Sequence, residues 1–266
     1  MRRAFRRIFT TVFIVAVILL VGLVAAVLLL RAPPAFYRPP TLTPQQAESA
    51  AKRVEDKLVE IRNVATDRAT PVGAFVVTFT QDELNAFLAK WGELSQVRGV
   101  LGGRAERPMV VLRPGELVLA ATVKAAGLRT VVAAHLRPVL SDDGLRLHAT
   151  SFSAGRLPIP AGQVLTRLRP AVEPVRRRLP DWQREARLGS SGQANEDAVK
   201  AAYARLLLAT VDGGASVPPV LLIPVDARRA LPMRLTEIAL VDGSVTLRAR
   251  PLTEVEQLDF ARSLKP

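Results

Sequence analysis

An uncharged, strongly apolar run from Ile8 to Leu30 is the sequence feature that most constrains this chain. A helix rises about 1.5 Å per residue, so a run of this length crosses the roughly 30 Å hydrocarbon core of a bilayer. In lipid every backbone polar group must be bonded internally, and a helix satisfies that condition where a loop does not. The run therefore predicts a transmembrane helix over residues 8–30. The apolar residues that define this anchor are Ile8, Phe9, Val12, Phe13, Ile14, Leu19, Leu20, Leu23, Leu28 and Leu30.

The flanking charges predict the orientation of this helix. Arg2, Arg3, Arg6 and Arg7 precede the run, whereas Arg31 alone follows it closely. By the positive-inside rule, residues 1–7 form a cytoplasmic tail and the rest of the chain lies outside the cell inner (cytoplasmic) membrane. A cleaved signal peptide is the alternative. It would have a shorter apolar region of about 7–15 residues and a small-residue cleavage site without an adjacent proline.

Prolines mark residues 31–43 as a linker. Pro33, Pro34, Pro39 and Pro40 favour a stiff, extended spacer that lifts the following domain off the bilayer. The extracytoplasmic domain then covers residues 44–266, with a candidate internal boundary near 189–194, where two glycines and two serines adjoin.

Composition narrows the chemistry of this domain. The chain has no cysteine, which excludes a disulfide scaffold, thiolate catalysis and cysteine-ligated zinc. Its net charge of +13 favours anionic lipid headgroups or wall polymers as partners, with a solvated basic surface as the plainer alternative. Nucleic acid is not expected on the outer side of the membrane.

Helical periodicity and capping residues predict several helices. One begins after Thr43 and ends near Asn63, and another follows the strand Ala74–Thr80, where Thr80 and Glu83 form a capping box. A third, capped by Asn195, has one apolar side. The segment from Pro160 to about Leu179 is also mainly helical, and Pro170 and Pro174 are expected to kink or break it.

Alternating patterns predict a meander of strands over Met109–Leu112, Glu116–Lys124, Leu128–Leu140 and Leu145–Ser153. If Asp143-Gly144 is a two-residue turn, Leu140 faces Leu147. In a second hairpin, Asp242-Gly243 as the turn places Leu240 opposite Val245 and Glu237 opposite Arg248. Small residues on the inner faces would leave room for a cavity or admit a closely packed helix. These residues are Ala121, Ala133, Ala149 and Ala249.

The sequence offers no catalytic or metal-binding motif, so neither an enzyme nor a cofactor is predicted. His135 and His148, the two histidines, are expected to face solvent about 13 Å apart along the same ladder, too far to share a metal. A cluster of arginines is a candidate binding site of another kind. It could contact an anionic surface, or it could be the solvated face of a core-packed helix. Its members are Arg167, Arg169, Arg176, Arg177, Arg178 and Arg184.

Two further segments carry a family resemblance. They are Thr80-Gln81-Asp82-Glu83-Leu84-Asn85-Ala86-Phe87-Leu88 at the end of a strand, and Gly155-Arg156-Leu157-Pro158-Ile159-Pro160 leading into a helix. With the N-terminal anchor, they resemble the YpmS-like family of membrane-anchored extracytoplasmic bacterial proteins and, more loosely, bacterial proteins with tubular lipid-binding (TULIP-like) domains. The resemblance implies an accessory, non-enzymatic protein that binds an acyl chain.

These observations predict an α+β fold: a transmembrane helix, then a curved antiparallel sheet with amphipathic helices on its concave side. The expected function is a single-span, membrane-tethered binding module for a lipid or another amphiphile, in the periplasm or an equivalent outer compartment. One alternative is a structural protein that binds an envelope protein partner. The other is a cell-wall polymer hydrolase or transferase, which would need two converging carboxylates.

Overall fold

The computed structural model of this protein describes residues 25, 27–39, 43–66, 74–93, 105–125, 128–188, 193–224 and 229–265. Its helices are α1 (Pro44–Thr66), α2 (Gln81–Glu93), α3 (Ala161–Glu185), α4 (Glu196–Val211) and α5 (Glu254–Ser263). Its strands are β1 (Phe75–Thr80), β2 (Ala105–Arg113), β3 (Glu116–Ala125), β4 (Leu128–Ser141), β5 (Gly144–Ala154), β6 (Leu157–Pro160), β7 (Ala194–Asn195), β8 (Val220–Pro224), β9 (Arg229–Val241) and β10 (Ser244–Pro251). The α+β class expected from the sequence is confirmed.

Most of the predicted membrane anchor lies outside the described residues. Arg2, Arg3, Arg6 and Arg7 lie outside them, as does the anchor from Ile8 to Leu23. Residues 27–31 are described and form the end of a helix. Within the described ranges, no helix is long and apolar enough to cross a bilayer.

The strands form two five-stranded antiparallel sheets instead of a single sheet. The first sheet has the order β1-β10-β9-β7, with β8 also paired to β9, and the second is the meander β2-β3-β4-β5-β6. Their turns meet, because Gly243 N–H donates to Leu112 O and Gly115 N–H donates to Leu240 O, both at 3.1 Å. The result is a strongly curled antiparallel half-barrel packed with helices.

Helices cover both faces of the first sheet near β8. Leu222 and Ile223 are successive residues of β8, so their side chains point to opposite faces. Ile223 packs in a core cluster with Val54 of α1. Leu222 packs in another cluster with Ala198 of α4 and Phe260 of α5.

The two predicted hairpins differ in outcome. The Asp242-Gly243 hairpin has the predicted register, with Leu240 opposite Val245, and Arg248 Nε lies 3.1 Å from Glu237 Oε2. The β4–β5 hairpin does not have its predicted register, because its turn residues are Asp142-Asp143 and not Asp143-Gly144.

In that hairpin Leu140 faces Leu145 and not Leu147, while the two faces of the ladder keep the predicted alternation. Gly144 is not a turn residue; a glycine is needed there for the close approach of another segment. A Cβ there would collide with the backbone of Val217, which exchanges hydrogen bonds with Leu145.

The sequence predicts that prolines kink or break α3, and the structure shows no break. Pro170, Pro174 and Pro180 all lie inside one continuous α3, and all are exposed. A proline removes one backbone hydrogen bond, and on the solvent side water can bond the carbonyl that is freed. The opposite side, with Val172 and Leu179, packs on α4.

The described part of the proline-rich linker, residues 31–39, lies against the second sheet and does not stand away from it. Phe36 and Tyr37 pack on a cluster that includes Val118 and Ala133. The Tyr37 hydroxyl also lies 2.9 Å from the hydroxyl of Thr122. The prolines of this segment predict a stiff spacer, yet its two aromatic residues supply the apolar area that holds it to the sheet.

The end of the N-terminal helix is fixed to the same sheet. Arg156 N–H donates to Leu29 O at 2.8 Å, and the Thr130 hydroxyl donates to Leu30 O. These bonds satisfy two carbonyls that a helix end leaves without intrahelical partners. Gly155 permits this approach, because a Cβ at its position would collide with both carbonyl oxygens.

Candidate functional site

An apolar pocket lies where α4, α5, β8 and the start of β5 meet. Its volume is about 120 Å³. An apolar cavity of about 150 Å³ holds benzene, so this pocket accommodates a few carbons of a hydrocarbon chain and not a whole lipid. Its apolar walls include Leu145, Leu206, Val217, Leu221, Phe260 and Leu264.

Local sequence explains how the two helices form this pocket. The side chain of Asn195 caps α4, since its Oδ1 accepts from Ala198 N–H at 2.9 Å. Thr253 and Glu256 form a reciprocal capping box at the start of α5. Ala198 and Ala201 are fully buried, and their small side chains bring α4 close to the first sheet. The next face of α4 and the C-terminal half of α5 therefore become the pocket walls.

Arg205 of α4 is the one charged residue among the described residues that line the pocket. Its Nη2 donates to the backbone oxygen of Lys265 at 2.9 Å, and its guanidinium faces the side-chain amide of Gln183. No carboxylate in the described part of the chain pairs with it. Burial lowers the pKa of Arg205, although a guanidinium stays charged at any physiological pH. A cation that has no carboxylate partner among the described residues, beside an apolar pocket, favours an anionic group at that point.

Apolar surface continues outside the pocket on α4. Tyr203 lines the pocket and is 56% exposed, and Leu207 of the same helix is 43% exposed. Surrounding protein raises the pKa of the Tyr203 hydroxyl by desolvation, so this ring presents a neutral, amphipathic edge. A ligand longer than the pocket would therefore meet further apolar contacts at its mouth.

The second sheet carries another apolar surface, on the face that bears Leu145. Leu119 and Val132 lie on this face and are 41% and 38% exposed. Leu119 pairs with Ala134, and Leu140 pairs with Leu145, all on the same side of the ladder. This face therefore runs along the strands to the pocket wall.

The small residues that the sequence suggested as room for a cavity have mixed surroundings. Ala133 is fully buried in the cluster that contains Phe36, and Ala249 is fully buried in the cluster that contains α1. Ala121 and Ala149 are half-buried. At Ala133 and Ala249 the space is filled by other parts of this chain.

The arginine cluster predicted from the sequence does not line the pocket. Its six members are exposed on α3: Arg167, Arg169, Arg176, Arg177, Arg178 and Arg184. Several have acidic partners on the same surface. Arg176 Nη2 lies 2.8 Å from Asp212 Oδ2, a hydrogen bond that raises the pKa of Arg176. Arg167 and Arg178 have no ion-pair partner within the described residues.

Sequence reasoning does not identify Arg205 as a site residue, although a signal exists. On α4 it lies on the same side as Ala201 and Leu208, both of which are buried. A charged residue on the apolar side of an amphipathic helix marks either a buried ion pair or a binding position. Here no carboxylate of the described chain accompanies it, which favours a binding position.

The sequence predicts that both histidines face solvent, and in the structure neither of them does. His135 Nδ1 lies 3.2 Å from Glu116 Oε1, and its ring packs edge-on against Phe36. His148 is half-buried beside Gly214, whose missing side chain leaves room for the imidazole. Within the described residues, no group of three or more histidine, aspartate or glutamate side chains is placed to hold a metal ion.

The Thr80–Leu88 segment that carries the family resemblance has structural roles in this chain. Asn85 is buried and bonds the backbone of β2 twice: its Nδ2 donates to Val110 O at 2.9 Å, and its Oδ1 accepts from Val110 N–H at 2.6 Å. Gln81 accepts from Leu112 N–H at 2.9 Å. These two side chains, four residues apart on α2, therefore cover the open edge of β2.

Glu83 of this segment joins α2 to α1. Burial alone would raise the pKa of Glu83, but hydrogen bonds from Lys57 and Thr80 and the charge of Lys57 outweigh it and lower the pKa. Its Oε2 lies 2.7 Å from Lys57 Nζ, and Arg53 Nε lies 3.5 Å from its Oε1. This carboxylate is thus a structural ion pair between two helices.

Comparisons with protein families, with curated proteins and with solved structures found no match to this chain.

Proposed function

We propose that this protein is a membrane-tethered, extracytoplasmic binding module that performs no catalysis and whose ligand is a lipid or another amphiphile. The observation that carries the proposal is the apolar pocket beside Arg205. Its walls suit the hydrocarbon carbons next to a headgroup, and the guanidinium of Arg205 suits the carboxylate or phosphate of that headgroup. The resemblance to YpmS-like and TULIP-like proteins supports the same ligand class.

The dimensions of the pocket define how such a ligand binds. A volume of about 120 Å³ holds only part of an acyl chain. The remainder lies along exposed apolar residues such as Tyr203 and Leu207. Burial of apolar surface, at about 25 cal/mol per Å², favours this arrangement over exposure of the chain to water.

The experiment uses the full chain in lipid nanodiscs and a palmitate analogue that carries a diazirine near its carboxyl end. After photolysis, mass spectrometry maps the crosslinked peptides. We expect crosslinks to α4, α5 and β8. Crosslinks confined to the predicted anchor would refute the pocket as a binding site.

A substitution that fills the pocket sharpens this test. Ala202 lines the pocket, so A202W should remove the crosslinks to α4 and α5. A171W is the matched control, because it adds the same side chain at an exposed position of α3. Equal crosslinking in A202W and the wild type would show that the probe binds elsewhere.

A second candidate, an interaction protein of the envelope, is favoured by two residues on α5. Val255 and Leu258 are 67% and 58% exposed and lie three residues apart, so they share one face of the helix. Exposed apolar residues grouped in this way are typical of a protein contact. A V255S/L258S double variant that abolishes capture of a partner but leaves the palmitate crosslinks intact would establish this role separately.

A further inference from the structure

The charged residues around the end of the N-terminal helix are almost all basic. We name six of them the basic rim: Arg31, Arg38, Arg107, Lys124, Arg129 and Arg156. In the described segments that form this end of the second sheet, residues 27–39, 105–109, 122–125, 128–131 and 153–158, Glu106 is the one acidic residue. Its carboxylate is shared, since Lys124 Nζ lies 2.7 Å away and Arg129 Nη2 lies 3.3 Å away. The rim therefore retains a clear excess of positive charge.

Direct contacts join the rim to the end of the predicted anchor and to the residues after it. Arg156 bonds Leu29 through its backbone N–H and Pro33 O through its Nε, at 2.8 and 3.2 Å. The Tyr37 hydroxyl donates to the backbone oxygen of Arg107 at 3.0 Å.

Arg129 and Lys124 complete the same end of the sheet. Arg129 adjoins Thr130, whose hydroxyl bonds Leu30 O, and it pairs with Lys124 across β3 and β4. These bonds hold the backbone of four rim residues close to the helix end.

We infer that the basic rim binds the anionic headgroups of the bilayer in which the chain is anchored. This inference rests on the membrane anchor assumed in the proposed function. The headgroup region extends roughly 5–8 Å beyond the hydrocarbon on each side, so cations fixed around Leu30 stand within it. Arginine and lysine near an anionic membrane surface each attract its charge, and guanidinium groups also bond phosphate oxygens.

The charge surroundings favour the rim over the arginine face of α3 as the membrane contact. On α3, Glu173, Asp181 and Glu185 alternate with the arginines, and Asp212 of the neighbouring segment pairs with Arg176. The rim has Glu106 alone as its described acid. Arg156 of the rim bonds Leu29, and Thr130, the neighbour of Arg129, bonds Leu30. Within the described chain, no residue of α3 forms a hydrogen bond with either leucine.

Lipid retention by the full chain tests this inference. The chain is purified from nanodiscs that contain equal parts of phosphatidylglycerol and phosphatidylcholine, and retained lipids are counted by native mass spectrometry. Three variants are compared: K124Q/R129Q/R156Q in the rim, R167Q/R178Q/R184Q on α3 as a control of equal charge, and R129K/R156K, which keeps the rim charge.

We expect the wild type to prefer phosphatidylglycerol and the rim variant to lose that preference, on the order of fivefold for each charge removed. The α3 and lysine variants should stay within about twofold of the wild type, and the preference should weaken as salt rises. An unchanged preference in the rim variant, or an equal loss in the α3 variant, would overturn the inference. The palmitate crosslinks to the pocket are independent of the rim, so failure of the pocket and failure of the rim are distinguishable.

Discussion

Arg250 and Glu256 form a bidentate ion pair: Nη1 of the arginine donates to Oε2 of the glutamate and Nη2 donates to Oε1, both at 2.7 Å. The same carboxylate accepts from Thr253 N–H at 2.9 Å and lies 3.3 Å from Arg234. Through this one side chain the start of α5 is joined to β10 and β9. Hydrogen bonding from Arg250, ahead of the other favourable contacts, lowers the pKa of Glu256 from 4.5 to about 2.

This contact predicts a loss of stability in acid. A carboxylate whose pKa is lower in the folded than in the unfolded state stabilises the fold above its unfolded pKa, and that contribution falls as pH drops toward the folded pKa. For Glu256 the window lies from pH 4.5 down to about 2. We expect E256Q to lower the free energy of unfolding at pH 7 by on the order of 1–2 kcal/mol. It should also weaken the fall of that free energy as the pH drops below 4.5.

Chemical unfolding of the full chain in detergent micelles, repeated between pH 7 and pH 3, measures this effect. E254Q is the control, because Glu254 lies in the same first turn of α5 but is exposed. If E256Q and the wild type lose stability equally as the pH falls, another group controls the acid limb.

Asn85 predicts a second stability effect. Replacement by alanine leaves both the N–H and the C=O of Val110 without their side-chain partners at a buried position. We expect N85A to lower the free energy of unfolding by roughly 2–4 kcal/mol, because unsatisfied buried polar groups keep their desolvation cost.

D82A is the matched control on α2, since Asp82 is exposed and D82A should cost less than about 1 kcal/mol. Hydrogen exchange at the β2 amides localises the change. Unaltered protection of Val110 in N85A would contradict the edge-covering role of Asn85.

The sequence predicts those features of the fold that depend on residues close together in the chain. Turn chemistry at Asp242-Gly243 placed Glu237 opposite Arg248, and the capping pairs at Thr43, Thr80 and Asn195 placed three helix starts. It does not predict pairings between distant segments. β1 joins β10 across most of the domain, and nothing in Phe75–Thr80 alone specifies that partner.

The predictions that the structure contradicts rest on residues whose local pattern fits more than one structural role. Gly144 has the pattern of a turn glycine, but it is required by the close approach of Val217. Pro33 and Pro34 indicate an extended spacer, but the neighbouring Phe36 attaches the segment to the sheet. Arg205 was absent from the predicted site because its importance depends on the pocket that distant elements build around it.

Arg205 predicts a preference for anionic ligands. R205Q removes the charge but retains a hydrogen-bonding side chain, so binding of a diazirine palmitate should weaken, on the order of fivefold to tenfold. Binding of the corresponding diazirine fatty alcohol should change little, because it carries no charge. Concentration-dependent crosslinking to α4 in nanodiscs compares the two probes, and equal losses for both would mean that Arg205 shapes the pocket without recognising charge.

Gly155 predicts how firmly the helix end is held to the sheet. Gly155 and Gly115 both have a positive φ, +57° and +69°, so alanine at either position incurs a backbone cost of about 1–2 kcal/mol. Only at Gly155 would the added Cβ also collide with Leu29 O and Leu30 O, since no atom lies within 4 Å at Gly115. G155A should therefore displace the segment 29–39 from the second sheet, while G115A should leave it in place. Limited proteolysis of the full chain in nanodiscs with trypsin reports the difference: we expect cleavage after Arg31 to rise at least severalfold in G155A alone. Equal cleavage of the two variants would mean that the contacts of Phe36 and Tyr37 hold this segment without the helix end.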